Sequence, residues 1–179
     1  MRGLTEMDKK KISEKAEELL KKFEGFIDGS LVKIFEIAQA EGFTMVNAEF
    51  ADDGLLGSVV INPGKDILKT GNERVIVVNY KKSLEDKRFI LAHELSHYFL
   101  EYSGQGQFIS HKPNRKNKGQ KEQDVDFLAA CLLMPEERFR QRYEELKNEG
   151  RTNAEISISL QEEFKVPLEA ALRRIDEVA

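Results

Sequence analysis

Two of the chain's three histidines stand four residues apart in His93-Glu94-Leu95-Ser96-His97, and this spacing restricts the local fold strongly. On an α-helix the pair lies one turn apart on one face, with the imidazoles close enough to share a metal ion. The upstream segment Ser83-Leu84-Glu85-Asp86 fits a helix-capping signature before an apolar run. We therefore predict a helix at about 84–102 that carries both histidines.

Glu94 lies on the flank of the histidine face, where it does not easily join the same coordination plane. A zinc ion lowers the pKa of its water towards ~7, and a nearby carboxylate can take the proton as the oxygen attacks a peptide carbonyl. The spacing thus predicts His93 and His97 as zinc ligands and Glu94 as catalytic base. The simpler alternative is that both histidines are surface residues on an exposed helical turn and bind no metal.

A hydrolytic zinc ion normally has three protein ligands, so a third donor is needed. The extended zincin pattern requires a glycine and a histidine at positions 100 and 103, but the chain has Leu100 and Ser103. Glu122 and Asp126 share one face of a helix predicted at about 122–133. We expect one of these carboxylates to bind the metal and the other to accept the second ring proton of a histidine.

Two longer runs carry a more specific resemblance: Arg88-Phe89-Ile90-Leu91-Ala92-His93-Glu94-Leu95-Ser96-His97-Tyr98 and Leu128-Ala129-Ala130-Cys131-Leu132-Leu133-Met134-Pro135. Together they resemble the ImmA/IrrE family of zinc metallo-endopeptidases, most strongly over residues 75–135. The resemblance implies that Glu122 completes the zinc site and that Asp126 supports it. The family more commonly has Glu-Ala-Asn in the stretch that here reads Asp124-Val125-Asp126. Asp124 is therefore an alternative ligand, although the helical face shared with Asp126 favours Glu122.

The resemblance also implies a protein partner, because family members cleave or inactivate helix-turn-helix transcriptional repressors, often encoded beside them. Two other classes of function stay open. The chain could bind a repressor without cutting it and keep zinc as a structural element, or it could be a stress sensor regulated by metal occupancy. The presence of Glu94 favours the enzyme, since a purely structural zinc site needs no base.

Peptide hydrolysis at zinc also needs a donor to the developing oxyanion, usually a histidine or a tyrosine. Tyr98 follows His97 directly, and Tyr102 and His111 are further candidates. We predict Tyr98 and His111 as secondary catalytic residues. Their simpler interpretations are core packing for Tyr98 and a solvated loop position for His111, which would reach the site only if that loop closed over substrate.

The whole chain is expected to form a single metallopeptidase domain, an α+β fold of the minimal zincin type. N-terminal helices would occupy residues 1–42, the sheet and zinc-site core 43–135, and C-terminal helices 136–179. A net charge of −4 gives no overall attraction to nucleic acid. No signal segment or apolar run of ~18 residues is seen, and the lone Cys131 fits a reducing compartment, so we expect a cytoplasmic protein.

Hydrophobic periodicity predicts the elements around the active-site helix. We expect amphipathic helices at 6–24 and from an N-cap at Ser30 to Gly42. Short β-rich runs predict a small, mainly antiparallel sheet of about three strands, in which Val75–Val78 would bind an extended peptide if it lay at an edge. Residues 103–121 lack periodicity and predict an exposed loop. The remaining predictions are strands at 43–50, 55–61 and 74–80, a helix at 135–148, and further helices after a capping signature at 152–155.

Overall fold

The computed structural model describes residues 6–50, 55–62, 73–113 and 119–178. These residues confirm the predicted α+β class, with helices around a small, mainly antiparallel sheet. In chain order the elements are α1 (Glu6–Lys22), β1 (Ile27–Asp28), β2 (Leu31–Val32), α2 (Ile34–Ala40), β3 (Thr44–Ala48), β4 (Leu55–Ile61), β5 (Arg74–Asn79), α3 (Leu84–Glu101), β6 (Phe108–Pro113), α4 (Gln120–Leu133), α5 (Glu136–Asn148), α6 (Asn153–Phe164) and α7 (Leu168–Val178). Within these parts of the chain, no helix has the length and hydropathy needed to cross a bilayer.

The main sheet of the described residues has the strand order β3-β5-β4-β6. Strands β3 and β5 are parallel, whereas β4 is antiparallel to both β5 and β6. Strand β5 pairs on both sides, so Val75–Val78 lies inside the sheet and the condition for binding a peptide there is not met. The expectation of an exposed loop across 103–121 holds for residues 103–107 but is wrong for 108–113, which form β6 and pair with β4. Residues 114–118 of that predicted loop lie outside the described residues.

The second predicted helix begins later than expected. Ser30 is not its N-cap, because it lies in the turn of a hairpin formed by β1 and β2. Gly29 allows that turn with φ at +57°, a conformation that side chains with a Cβ disfavour. The Ser30 hydroxyl donates to Glu163 of α6 over 2.6 Å. Helix α2 therefore starts only at Ile34, once the chain has left the hairpin.

Helix α3 begins as the capping signature predicts. The Ser83 hydroxyl accepts a hydrogen bond from the Asp86 amide over 3.1 Å, so one of the unpaired first-turn amides gains a partner. Apolar residues of α3 pack against one face of the main sheet, and together they form a shared core. This packing sets the position of the two histidine-bearing turns of α3 relative to β4 and the direction in which their side chains project. The shared core includes Val59, Ile61, Ile76, Val78, Ile90, Leu91 and Leu95.

Two buried arginines fasten α3 and α4 to the C-terminal helices. Arg88 of α3 donates from Nε to the Lys165 carbonyl and from Nη2 to the Val32 carbonyl, each over 2.9 Å. Arg174 of α7 donates from Nε to the Met134 carbonyl, at the end of α4, over 3.2 Å. Each guanidinium thus satisfies backbone acceptors that would otherwise be costly to bury. The helices that carry the candidate site are held from both sides.

Candidate metal centre

Helices α3 and α4 bring the three predicted donors together. His93 and His97 project from successive turns of α3, and Glu122 lies in the first turn of α4. The two Nε2 atoms are 3.1 Å apart. Each imidazole also faces one carboxylate oxygen of Glu122, at 3.4 Å from His93 Nε2 to Oε2 and 3.4 Å from His97 Nε2 to Oε1. Among the described residues, this is the group of donors close enough to hold a metal ion.

The separations within this group suit a small divalent cation. Donor atoms around a tetrahedral ion with bonds of about 2.0–2.2 Å lie roughly 3.3–3.6 Å from one another. The measured separations of 3.1 and 3.4 Å are close to that range. Two neutral imidazoles and one carboxylate are also the donor types that divalent transition metals accept. The residues therefore fit a metal ion in both spacing and chemistry.

The pKa shifts of His97 and Glu122 both favour metal binding. Burial lowers the pKa of His97, and the neighbouring charge of His93 lowers it further. For Glu122, burial acts to raise the pKa, but the hydrogen bond and charge of His93 and the charge of His97 outweigh it, so the pKa lies below its usual range. A metal ligand must present a lone pair, which neutral imidazole and ionised carboxylate both do. Both shifts thus favour the form of the side chain that binds a cation.

Each imidazole is held by a second carboxylate through its other nitrogen. Asp126 Oδ1 lies 2.8 Å from His93 Nδ1, as the shared face with Glu122 predicted. Glu101 Oε1 lies 2.8 Å from His97 Nδ1. A carboxylate accepts, so each Nδ1 carries the proton and leaves its Nε2 lone pair for the metal. Sequence reasoning missed Glu101, although its spacing of four residues from His97 was an available signal.

Glu94 is completely buried between α3 and the strand above it. Strand β4 approaches closely at Gly57, where an added Cβ would lie 2.4 Å from Ile90 Cγ2 and 3.0 Å from Glu94 Oε1. The absence of a side chain on Gly57 is therefore what lets β4 cross directly over the Glu94 carboxylate. Glu94 directly follows the donor His93 in α3 but is not itself one of the metal donors.

Replacing Gly57 with alanine is expected to destabilise the protein by about 1–3 kcal/mol, because the new methyl group overlaps Ile90 and overpacks the core. Equilibrium unfolding in urea measures the change. Gly25→Ala is the matched control, since a Cβ at Gly25 meets no atom within 4 Å. Equal stability of the two variants would show that β4 and α3 separate easily at this point.

Tyr98 points towards α2 and β5. Its hydroxyl donates to Glu41 Oε2 over 3.0 Å and accepts from Arg74 Nη1 over 3.1 Å. Burial and the hydrogen bond to Glu41 raise its pKa. Its ring packs against Phe43 edge to face and stacks on Tyr102, with centroids 5.1 and 5.6 Å away. These contacts support the packing interpretation of Tyr98.

His111 lies in β6 and not in the predicted loop. Its partner in register is Ser58 of β4, and the two side chains are joined by a 2.8 Å hydrogen bond from Nδ1 to Oγ. The Ser58 hydroxyl donates its own proton to the Ser110 carbonyl, so the imidazole is the donor. Side chains alternate along a strand, so Ser58 and His111 face away from α3 while Gly57 faces it. His111 is therefore on the sheet surface opposite the donor group.

Two other residues of α4 also lie outside the donor group. Asp124 Oδ1 accepts a hydrogen bond from Gln120 Nε2 over 2.9 Å, one turn back on the same helix. Cys131 is buried in the core, and burial raises its thiol pKa to about 11. The structure thus gathers Glu122, the residue favoured from the helical face, and leaves Asp124 at the surface of α4.

Comparison with protein families matches residues 58–176 to Peptidase M78, described as the IrrE N-terminal-like domain. The matched range covers more than half of the 179 residues and includes all three metal donors. No curated protein matches the chain.

Proposed function

Because the chain belongs to the Peptidase M78 family, the IrrE N-terminal-like metallopeptidases, we propose that it is a zinc-dependent endopeptidase that hydrolyses a peptide bond in a protein partner. The observation that carries this proposal is the group His93, His97 and Glu122, which has the separations and donor types that zinc accepts. Two histidines and a glutamate are a known ligand set of catalytic zinc, which keeps one position open for water or substrate.

Different residues of the chain have different roles in the proposed hydrolysis. When bound, zinc supplies Lewis-acid chemistry at neutral pH. Glu94, buried beneath Gly57, is the base that takes a proton from the attacking water and passes it to the leaving amine. Asp126 holds His93 in the tautomer that presents Nε2. The low exposure of Glu94 and both histidines limits competing water around the reacting atoms.

An extended segment of the partner would bind along β6. This strand is an edge of the described sheet, and it pairs with β4, which crosses over Glu94 at Gly57. Edge strands offer unpaired backbone groups to an added peptide, so affinity does not depend on one side-chain sequence. This arrangement suits a peptidase that recognises a segment of a folded protein partner.

A helix-turn-helix transcriptional repressor is the partner that we propose. The support is the resemblance of residues 88–98 and 128–135 to the ImmA/IrrE family, together with the family match. We place both proteins in the cytoplasm, where a single buried thiol such as Cys131 stays reduced.

In the direct experiment, zinc-loaded protein is incubated with small helix-turn-helix proteins, beginning with any that is encoded beside its gene, and each candidate partner is followed on a gel. We expect discrete fragments that disappear when zinc is chelated and return when zinc is restored. Stable binding without fragments from zinc-loaded protein would favour the sequestering alternative. Activity that follows added zinc within its physiological range would favour the metal-regulated sensor.

A further inference from the structure

His93 and His97 are supported in different ways, although both donate from Nδ1 to a carboxylate at 2.8 Å. Asp126, the acceptor for His93, comes from α4, so its position is set by the packing of two helices. Glu101, the acceptor for His97, lies one turn further along α3, in its last turn. Terminal turns of helices fray more easily than their middles, so Glu101 needs another contact to hold it.

Lys121 provides that contact. Its Nζ lies 2.8 Å from Glu101 Oε2, while Glu101 Oε1 faces His97. Both oxygens of one carboxylate are therefore used, one on the imidazole and one on the ammonium group. The Glu101 side chain is 13 % exposed and that of Lys121 is 69 % exposed, so the cation closes the outer side of the carboxylate.

The contact also reaches the third metal donor. Lys121 precedes Glu122 directly in the first turn of α4. An ion pair from Lys121 to the end of α3 therefore ties the turn that carries Glu122 to the turn that carries His97. The Glu101 carboxylate thus orients the donor His97 and, through Lys121, also holds the first turn of α4, which carries the donor Glu122.

We propose that Glu101 is a positioning residue for the metal centre, with Lys121 as its clamp. Glu101 keeps His97 in the Nδ1–H tautomer with Nε2 towards the metal, and Lys121 holds Glu101 in place while it fixes the start of α4. This inference rests on the proposed zinc site, but Glu101 itself is not one of the three metal donors. Loss of such a supporting carboxylate typically weakens metal binding by about 10- to 100-fold.

The test measures zinc affinity by competition with a chromophoric chelator for wild type, Glu101→Gln, Glu101→Leu and Lys121→Met. Glu101→Leu removes the acceptor and should weaken binding by about 10-fold or more, whereas Glu101→Gln keeps an oxygen and should lose less. Lys121→Met should have a smaller effect that shrinks in high salt. Since Lys121 acts through Glu101, its substitution should add little in the Glu101→Leu background. Glu144→Gln on exposed α5 is the control and should match wild type.

Nitrogen NMR of the His97 ring in metal-free protein at pH 8 reads the tautomer directly. Wild type should carry the proton on Nδ1, and Glu101→Leu should shift part of the population to Nε2. An unchanged tautomer with zinc affinity within 2-fold of wild type in Glu101→Leu would overturn the inference. If wild type bound no zinc, the proposed function would fail, while the tautomer comparison would still decide the role of Glu101. Thermal unfolding of each variant identifies any global loss of structure.

Discussion

Glu94→Gln is expected to reduce cleavage of the protein partner by about 10²- to 10⁴-fold, the contribution typical of a positioned general base. Glutamine has nearly the same shape, so it should still fit between α3 and Gly57, where the glutamate is completely buried. It cannot accept the proton, because an amide has no basic oxygen at neutral pH. Zinc content should stay at wild-type level, since Glu94 lies outside the donor group.

The measurement pairs the rate of fragment formation with metal analysis of the same sample. Glu144→Gln makes the same chemical change on the exposed side of α5 and should cleave like wild type. Undiminished cleavage by Glu94→Gln would remove Glu94 from the mechanism. Loss of zinc together with activity would instead show that Glu94 helps to hold the metal.

Glu122→Gln is expected to weaken zinc binding by roughly 10²- to 10³-fold, if the binding free energy of about 10–16 kcal/mol for four-ligand zinc sites is divided evenly among the ligands. The substitution removes the charged donor that faces both Nε2 atoms at 3.4 Å. Peptidase activity at limiting zinc should fall in parallel. Equilibrium dialysis or chelator competition measures the affinity.

Asp124→Asn is the matched control for this loss. It makes the same change of charge two residues further along α4, at a side chain that bonds Gln120 and not the histidines. We expect it to keep wild-type affinity for zinc. The reverse result, in which Asp124→Asn loses zinc and Glu122→Gln keeps it, would show that Asp124 is the third metal ligand. Helix α4 would then have to be rotated differently about its axis.

The helix that carries the histidines was predictable because its signals are local. Ser83 caps the Asp86 amide as the capping signature indicated, and α3 ends within one residue of the predicted boundary. A helix repeats every 3.6 residues whatever surrounds it, so a spacing of four alone places His93 and His97 on one face. The shared face of Glu122 and Asp126 follows from the same geometry.

The sequence-based predictions that proved wrong concern places where segments far apart in the chain come into contact. Strand β6 lacks a periodic pattern of its own, and it forms because β4 supplies its hydrogen-bond partners. Ser30 has the chemistry of an N-cap, but a hairpin turn and Glu163 of α6 take it instead. In both cases long-range pairing outweighs a weak local preference.

The sequence by itself determined the α+β class, the helix that carries the two histidines and the chemical types of the candidate metal donors, because these depend on short-range geometry and on residue identity. Only the tertiary structure decided which atoms meet. Packing of α4 on α3 brings Glu122 to both imidazoles, pairs Asp126 with His93, and lets Lys121 hold Glu101 against His97. The rotation of each helix and the crossing of β4 at Gly57 set these contacts, and both result from a core built from residues far apart in the chain.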